Sequence, residues 1–112
     1  MARKRAYLAY PFIMFGTREV FVFKEKLKHE GFEVIDPYEK VGVGSNPIIA
    51  FRDLRLIDSA DLFVAYLPCQ GTQTGMEIMY AFLKGKKVRI YTRLEGPFFE
   101  WLKGKGVEVY PI

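Results

Sequence analysis

Short apolar runs alternate with amphipathic stretches along this chain. Residues 5–10 (RAYLAY), 32–36 (FEVID), 62–67 (LFVAYL), 86–92 (KKVRIYT) and 107–110 (VEVY) have the length and the β-branched or aromatic content of strands. LFVAYL is apolar at every position, as a parallel strand covered on both faces requires. Between the strands lie helical patterns. Thr17 can cap a helix running to about Glu30, with Val20, Phe21, Phe23 and Leu27 supplying apolar surface and Lys24, Glu25, Lys26 and Lys28 much of the wet side. Gly31 ends it as a left-handed C-cap. Asn46 and Pro47 suit the start of a second helix over 47–60, residues 75–83 read as a third, and 97–103 as a short fourth. Loops PFIMFG, PYEKVGVGSN and CQGTQTG join them. This alternation predicts an α/β fold: a five-stranded parallel sheet with helices on both faces, a flavodoxin-like or Rossmann-like three-layer sandwich formed by residues 1–112 as one domain.

Two carboxylates fit this scaffold less easily than the other charged side chains. At about 100° per residue, Ile49, Leu56, Ile57 and Ala60 share one stripe of the 47–60 helix, and Asp53 falls near its middle, while Arg52, Arg55 and Asp58 point away. An inward acid is desolvated, which raises its pKa and suits a proton donor; an Asp that bonds a loop or pairs with an Arg is the plainer alternative. Glu77 stands three residues after Thr74, the spacing of a capping box, and a capping role explains it structurally. Its helix, however, is apolar almost all round, and a helix start keeps a carboxylate ionised, as a nucleophile needs. One protonated and one ionised carboxyl form the pair that cleaves glycosidic bonds through a covalent intermediate.

In a sheet of this kind ligands collect beyond the carboxyl ends of the strands, where the loops after the first and third strands face each other. These are PFIMFG and PCQGTQTG, and Glu77 lies directly behind the second. Gly71 and Gly75 read either as a phosphate cradle at a helix start or as a tight strand-to-helix turn. Gly42 and Gly44 lack the preceding strand of a dinucleotide fingerprint.

Composition narrows the classes. Half of the 112 residues are hydrophobic and 27% are charged, so the chain is globular and not disordered. No apolar run has membrane-spanning length and MARKR leads straight into a strand, so the expectation is a cytoplasmic protein without a membrane partner. One cysteine, Cys69, and one histidine, His29, offer neither an internal disulfide nor a metal site, and no cofactor is expected. The net charge of +4 favours an anionic ligand, yet the lysines spread along helix ends with no aromatic-basic motif for nucleic acid. A chain this short must also enclose a substrate, which points to a homodimer or higher homo-oligomer.

Three blocks then carry a family likeness: Y-L-A-Y-P-F at 7–12, D-L-x4-D-S-A-D-L-F-V-A from Asp53, and G-M-E-I-x-Y-A-x3-G-K-K-V around Glu77. Together they resemble the nucleoside 2-deoxyribosyltransferase family, which includes 2'-deoxynucleoside 5'-phosphate N-hydrolases. The separation of 24 positions between Asp53 and Glu77 looks like that of the hydrolase branch. The resemblance implies a 2'-deoxynucleoside or nucleotide substrate, Glu77 as the nucleophile at C1', Asp53 as the acid assisting base departure, and Tyr7 as the residue orienting the nucleophile. Tyr7 also fits a plain core position. Two departures bear on the ligand. Tyr10 stands where relatives often have Gly, so that it narrows the site or stacks on a base, and Pro11, Phe12 and Ile13 replace the Ser and Arg of the hydrolases' first loop. Gly71 replaces a phosphate-binding Ser, leaving Thr17, Arg18 and Thr72 as substitutes. With Phe12, Met14 and Phe15 expected to exclude water, transfer to a second base is favoured over hydrolysis. A nucleotide-binding sensor and an interaction module whose Glu77 only caps are the competing classes.

Overall fold

β1 (Lys4–Ala9) runs into the sheet centre and is followed by a 3-10 turn at Phe12–Met14 and by α1 (Arg18–His29). The computed structural model describes residues 3–40 and 47–112. After α1 come β2 (Phe32–Ile35), α2 (Pro37–Lys40), α3 (Pro47–Ser59), β3 (Leu62–Leu67), α4 (Thr72–Leu83), β4 (Lys87–Thr92), α5 (Pro97–Gly104) and β5 (Glu108–Pro111). The five strands form one sheet in the order β2-β1-β3-β4-β5, every pair parallel. The chain winds outward from β1 in both directions, which creates a switch point between β1 and β3. The expected cap Asn46 and the pair Gly42 and Gly44 lie outside the described residues.

Alternation along each strand divides the core in two. Tyr7, Ala9, Phe63, Ala65, Leu67, Val88 and Ile90 pack with Ile57 of α3, Ile78 and Ala81 of α4 and Leu102 of α5. On the other face Ala6, Leu8, Val64, Tyr66 and Tyr91 pack with Val20, Phe23 and Leu27 of α1. All six residues of β3 are buried, as its continuous apolar run requires. The α1 face is closed over β4 and β5 by side chains: Arg89 bridges Glu30 and Glu108, and Tyr91 stacks on Tyr110 beneath the Lys26 ammonium.

Two local expectations change. Phe21, expected on the inner surface of α1, is 61% exposed because it sits about 100° off the stripe of Val20, Phe23 and Leu27. The loop expected from Pro37 begins as the helix α2, with Pro37 at its first position and an Asp36 Oδ1 that accepts the Tyr38 N–H at 3.0 Å. Thr17 caps α1 as expected, its hydroxyl accepting the Val20 N–H. Among the described residues no helix is long and apolar enough to cross a membrane.

Candidate active site

Tyr7 is fully buried on β1, facing the α3–α4–α5 layer. Its ring lies 5.6 Å from that of its β3 neighbour Phe63, in a near-parallel stack. This fixes the phenol, whose hydroxyl donates to Glu77 at 3.0 Å to Oε2 and 3.2 Å to Oε1. Asp53 reaches the same place from α3. It is 4% exposed, inside the stripe that also buries Ile57 and Ala60, as the helical period predicts. Gln73 Nε2 donates to Asp53 Oδ2 at 3.2 Å. The other oxygen, Oδ1, is buried and has no hydrogen-bond partner among the described residues.

The electrostatics reverse one expectation. α4 begins at Thr72, three residues before the expected Gly75, with Gly71 as an extended N-cap. Thr74 is therefore inside the helix, and Glu77 stands five residues past Thr72, beyond the first turn where the dipole acts. The capping box does not form; the Glu77 carboxyl turns to Tyr7 instead. Burial, then the Asp53 charge, pushes Glu77 up to about 8 against the opposing Tyr7 hydrogen bond. Burial raises Asp53 to about 6, an effect the Gln73 amide opposes. Asp53 is raised as expected of an acid, and burial raises Glu77 as well, against the ionised state expected of a nucleophile. Burial, then the charges of Glu77 and Asp53, holds the Tyr7 hydroxyl far above the usual phenol range, so it stays a proton donor.

The loops after β1 and β3 do face each other. They enclose a mouth cavity of about 410 Å³, lined by Pro11, Phe12, Tyr38, Gly71, Thr72 and Gln73 among others. A second cavity, about 240 Å³, opens between α3 and α4 over Glu77 and is walled by Ala50, Leu54, Met76 and Tyr80; Gln73 borders both spaces. A larger hollow of about 700 Å³ at the carboxyl ends of β4 and β5 touches neither acid.

Of the residues singled out in the sequence, Tyr7, Asp53 and Glu77 form one buried cluster, and Pro11, Phe12, Gly71 and Thr72 line the mouth. Two do not join them. Tyr10 belongs to the α1-side core, 2% exposed, and its hydroxyl donates to the buried Asp36 at 2.7 Å, so it is not placed to stack on a base. Gly75 is an interior residue of α4 beside an adjoining hollow with Leu67 and Phe98, on the far side of Gly71 and Thr72 from the mouth. Among the expected phosphate substitutes, Thr17 spends its hydroxyl on Met14 O and the Val20 N–H, Arg18 is exposed and absent from the mouth, and Thr72 alone lines it. Met14 packs on the α1-side core and not at the mouth.

Sequence reasoning missed Gln73 and Tyr38. Gln73 is four residues before Glu77, hence one turn above it on the same face of α4. Tyr38 follows an Asp-Pro pair, a helix-start signal directly after a strand. Its hydroxyl donates to Tyr10 O at 3.0 Å, its ring contacts Phe12 and Phe15, and burial followed by the charges of Glu77 and Asp53 pushes it up to about 12. Among the described residues no group of three or more His, Cys, Asp or Glu side chains is arranged to hold a metal ion.

The chain has the fold of the nucleoside 2-deoxyribosyltransferase class, the class its motifs resemble. It is similar to the 2-deoxyribosyltransferase of Bacillus psychrosaccharolyticus at 25% identity and TM-score 0.67, over 83% of this chain and 75% of that one. It also superimposes on the 2-desoxiribosyltransferase of Leishmania mexicana (21% identity, TM-score 0.62, 88% and 70% covered) and on a CMP N-glycosidase of Clostridium botulinum (22%, 0.70, 97% and 87%). No protein-family model and no curated protein sequence matches the chain.

Proposed function

We propose that this domain is an enzyme that breaks the N-glycosidic bond of 2'-deoxynucleosides and passes the deoxyribosyl group to another base through a covalent Glu77 intermediate. The observation that carries this reading is the buried Tyr7–Glu77–Asp53 cluster, with an Asp53 oxygen that no described residue engages. In the first half-reaction a Glu77 oxygen bonds to C1', the C1'–N bond breaks, and its electron pair leaves on the base nitrogen, which takes the Asp53 proton. In the second, the nitrogen of an incoming base attacks C1' and gives up its proton to the Asp53 carboxylate, while the Glu77–C1' bond breaks and Glu77 departs as carboxylate. Tyr7 holds the nucleophile by its hydroxyl. A 2'-hydroxyl would withdraw electrons from the developing cation, which accounts for a deoxy preference.

The mouth supports a nucleoside over a nucleotide. Among the described residues its lining contains no Lys, Arg or His, and Pro11 packs into the space beside Gly71. A phosphate dianion there would find no cationic partner among the described residues. Hydrolysis of a 5'-monophosphate is the second reading, supported by the likeness to a CMP N-glycosidase over almost the whole chain. The exposed Phe51, Met76 and Leu83 on α3 and α4 support a homo-oligomer. Incubation with deoxyinosine and free adenine separates the readings. Deoxyadenosine plus hypoxanthine supports transfer, and hypoxanthine alone supports hydrolysis. Absence of both, with nucleosides and monophosphates alike, leaves a binding domain and overturns the proposal.

A further inference from the structure

Asp53 and Glu77 are both buried, and the Asp53 charge raises the Glu77 pKa, so ionising both is costly and over the neutral range the pair shares one proton. Which of them holds it depends on their hydrogen-bond partners. Glu77 is touched by a hydroxyl, which can donate to a carboxylate or accept from a carboxylic acid, so Glu77 keeps its partner in either state. Asp53 Oδ2 accepts from the Gln73 amide N–H, a bond suited to a carboxylate; a carboxylic acid there would need the carboxamide to turn over and offer its oxygen. A proton on Oδ2 would therefore cost the observed N–H bond and require that reorientation. A proton on Oδ1 would leave a buried O–H with no acceptor among the described residues. Among the described residues, those facing the pair are Tyr7 from β1, Tyr38 from α2 and Gln73 from α4, none of them a cation.

We propose that Gln73 is a positioning residue for this pair: its side-chain amide holds Asp53 as the carboxylate, so that before substrate binds the shared proton rests on Glu77. This deepens, and rests on, the reading of Asp53 and Glu77 as the reacting acids. The resting arrangement is the inverse of what bond cleavage needs, and it keeps the nucleophile neutral while no sugar covers it. Gln73 borders both the mouth cavity and the space over Glu77, so a ligand spanning the two meets its carboxamide. Once the amide is drawn off, one proton leaves the Glu77 carboxyl and one arrives on the Asp53 carboxylate, with no change in net charge. The site then holds an acid on the base side and a bare nucleophile beneath the sugar.

The test is a carboxyl carbon-13 NMR titration of the ligand-free protein, with Asp53→Asn and Glu77→Gln identifying the two signals. Gln73→Met is the informative variant: Met fills the same volume, favours helix and lacks the donor. Because Gln73 is exposed on the first turn of α4, the replacement leaves the core untouched. In the wild type Asp53 titrates below Glu77. In Gln73→Met the Asp53 midpoint rises by about one pH unit, a roughly tenfold change in proton partition, and Glu77 falls towards it. An Asp53 midpoint unchanged to within about 0.3 units, against that tenfold scale, overturns the proposal, as does a wild type whose Asp53 is the protonated acid at neutral pH. Base exchange assayed in parallel keeps the two readings apart. A shifted titration without exchange removes the enzyme and leaves the role of Gln73, and exchange with an unshifted titration does the reverse.

Discussion

The Tyr7 hydroxyl lies 3.0 Å and 3.2 Å from the two oxygens of Glu77, a contact closed across 70 positions of sequence. It is the bond that opposes the upward shift of the Glu77 pKa. Removing the hydroxyl as Tyr7→Phe keeps the stack on Phe63, so the fold is expected to survive. The alkaline limb of the rate profile, set by Glu77, is expected to move to higher pH, and turnover near neutrality to fall by about tenfold or more, as a charge-assisted bond of roughly 1.5–3 kcal/mol is lost and less Glu77 is ionised beside a protonated Asp53. Base release followed chromatographically across pH checks this. A profile that does not move would make Tyr7 a core residue only.

With Asp53 raised to about 6 and Glu77 to about 8, kcat/KM is expected to be bell-shaped, with limbs near those two values. Below the lower limb both acids are protonated and Glu77 cannot attack. Above the upper limb both are ionised and no proton reaches the leaving base. Asp53→Asn should remove the proton donor and slow cleavage by about 100- to 10,000-fold. A rate that rises without turning over above the Glu77 midpoint would show that Asp53 is not the acid.

Much of this site is legible in the sequence because period and burial agree. The 3.6-residue repeat of α3 turns Asp53 inward with Ile57 and Ala60, and β1 alternation sends Tyr7 to the α4 side. Tyr10, three residues on, therefore faces α1, a parity that its likeness to a family loop position had obscured. The start of α4 is not legible, since CQGTQTG carries two glycines and reads as a loop. Burial of Thr74, Glu77, Ile78 and Ala81 outweighs the cost of Gly75 in the helix. Moving that start to Thr72 removes the capping role of Glu77 and brings Gln73 onto Asp53. Hydrogen bonds between side chains on different elements leave no periodic trace, which is why the Gln73–Asp53 and Tyr7–Glu77 bonds emerge only in three dimensions.

Glu77 should cost stability in alkali. Its folded pKa is raised from 4.5 to about 8, so the folded state binds the proton more tightly than the unfolded chain does. Stability is then fullest below the unfolded value and falls as pH rises towards the folded one. Glu77→Gln keeps the shape and cannot ionise. It is expected to melt close to the wild type at about pH 5 and above it at about pH 9, by roughly 4 °C for each kcal/mol of burial cost removed. Thermal unfolding at the two pH values measures this, and a variant less stable than the wild type at both would mean that the carboxylate is structurally required.

Gly71 and Gly75 offer a paired test of how the two loops meet. A Cβ built on Gly71 would lie 3.0 Å from Cγ and 3.2 Å from Cβ of Pro11, both atoms of a stiff ring held on the loop after β1. Gly71→Ala should push the two loops apart, costing about 1–3 kcal/mol, and distort the mouth where the base is expected to enter. Gly75 meets nothing within 4 Å and sits inside α4 with no positive φ, so Gly75→Ala should be neutral or stabilising by about 0.5–1 kcal/mol. Denaturant unfolding of both variants compares the costs, and KM for the nucleoside should rise in Gly71→Ala alone. If instead Gly75→Ala weakens substrate binding while Gly71→Ala leaves it unchanged, the ligand enters on the Phe98 side of the β3–α4 loop, and the mouth between Pro11 and Gly71 is not its path.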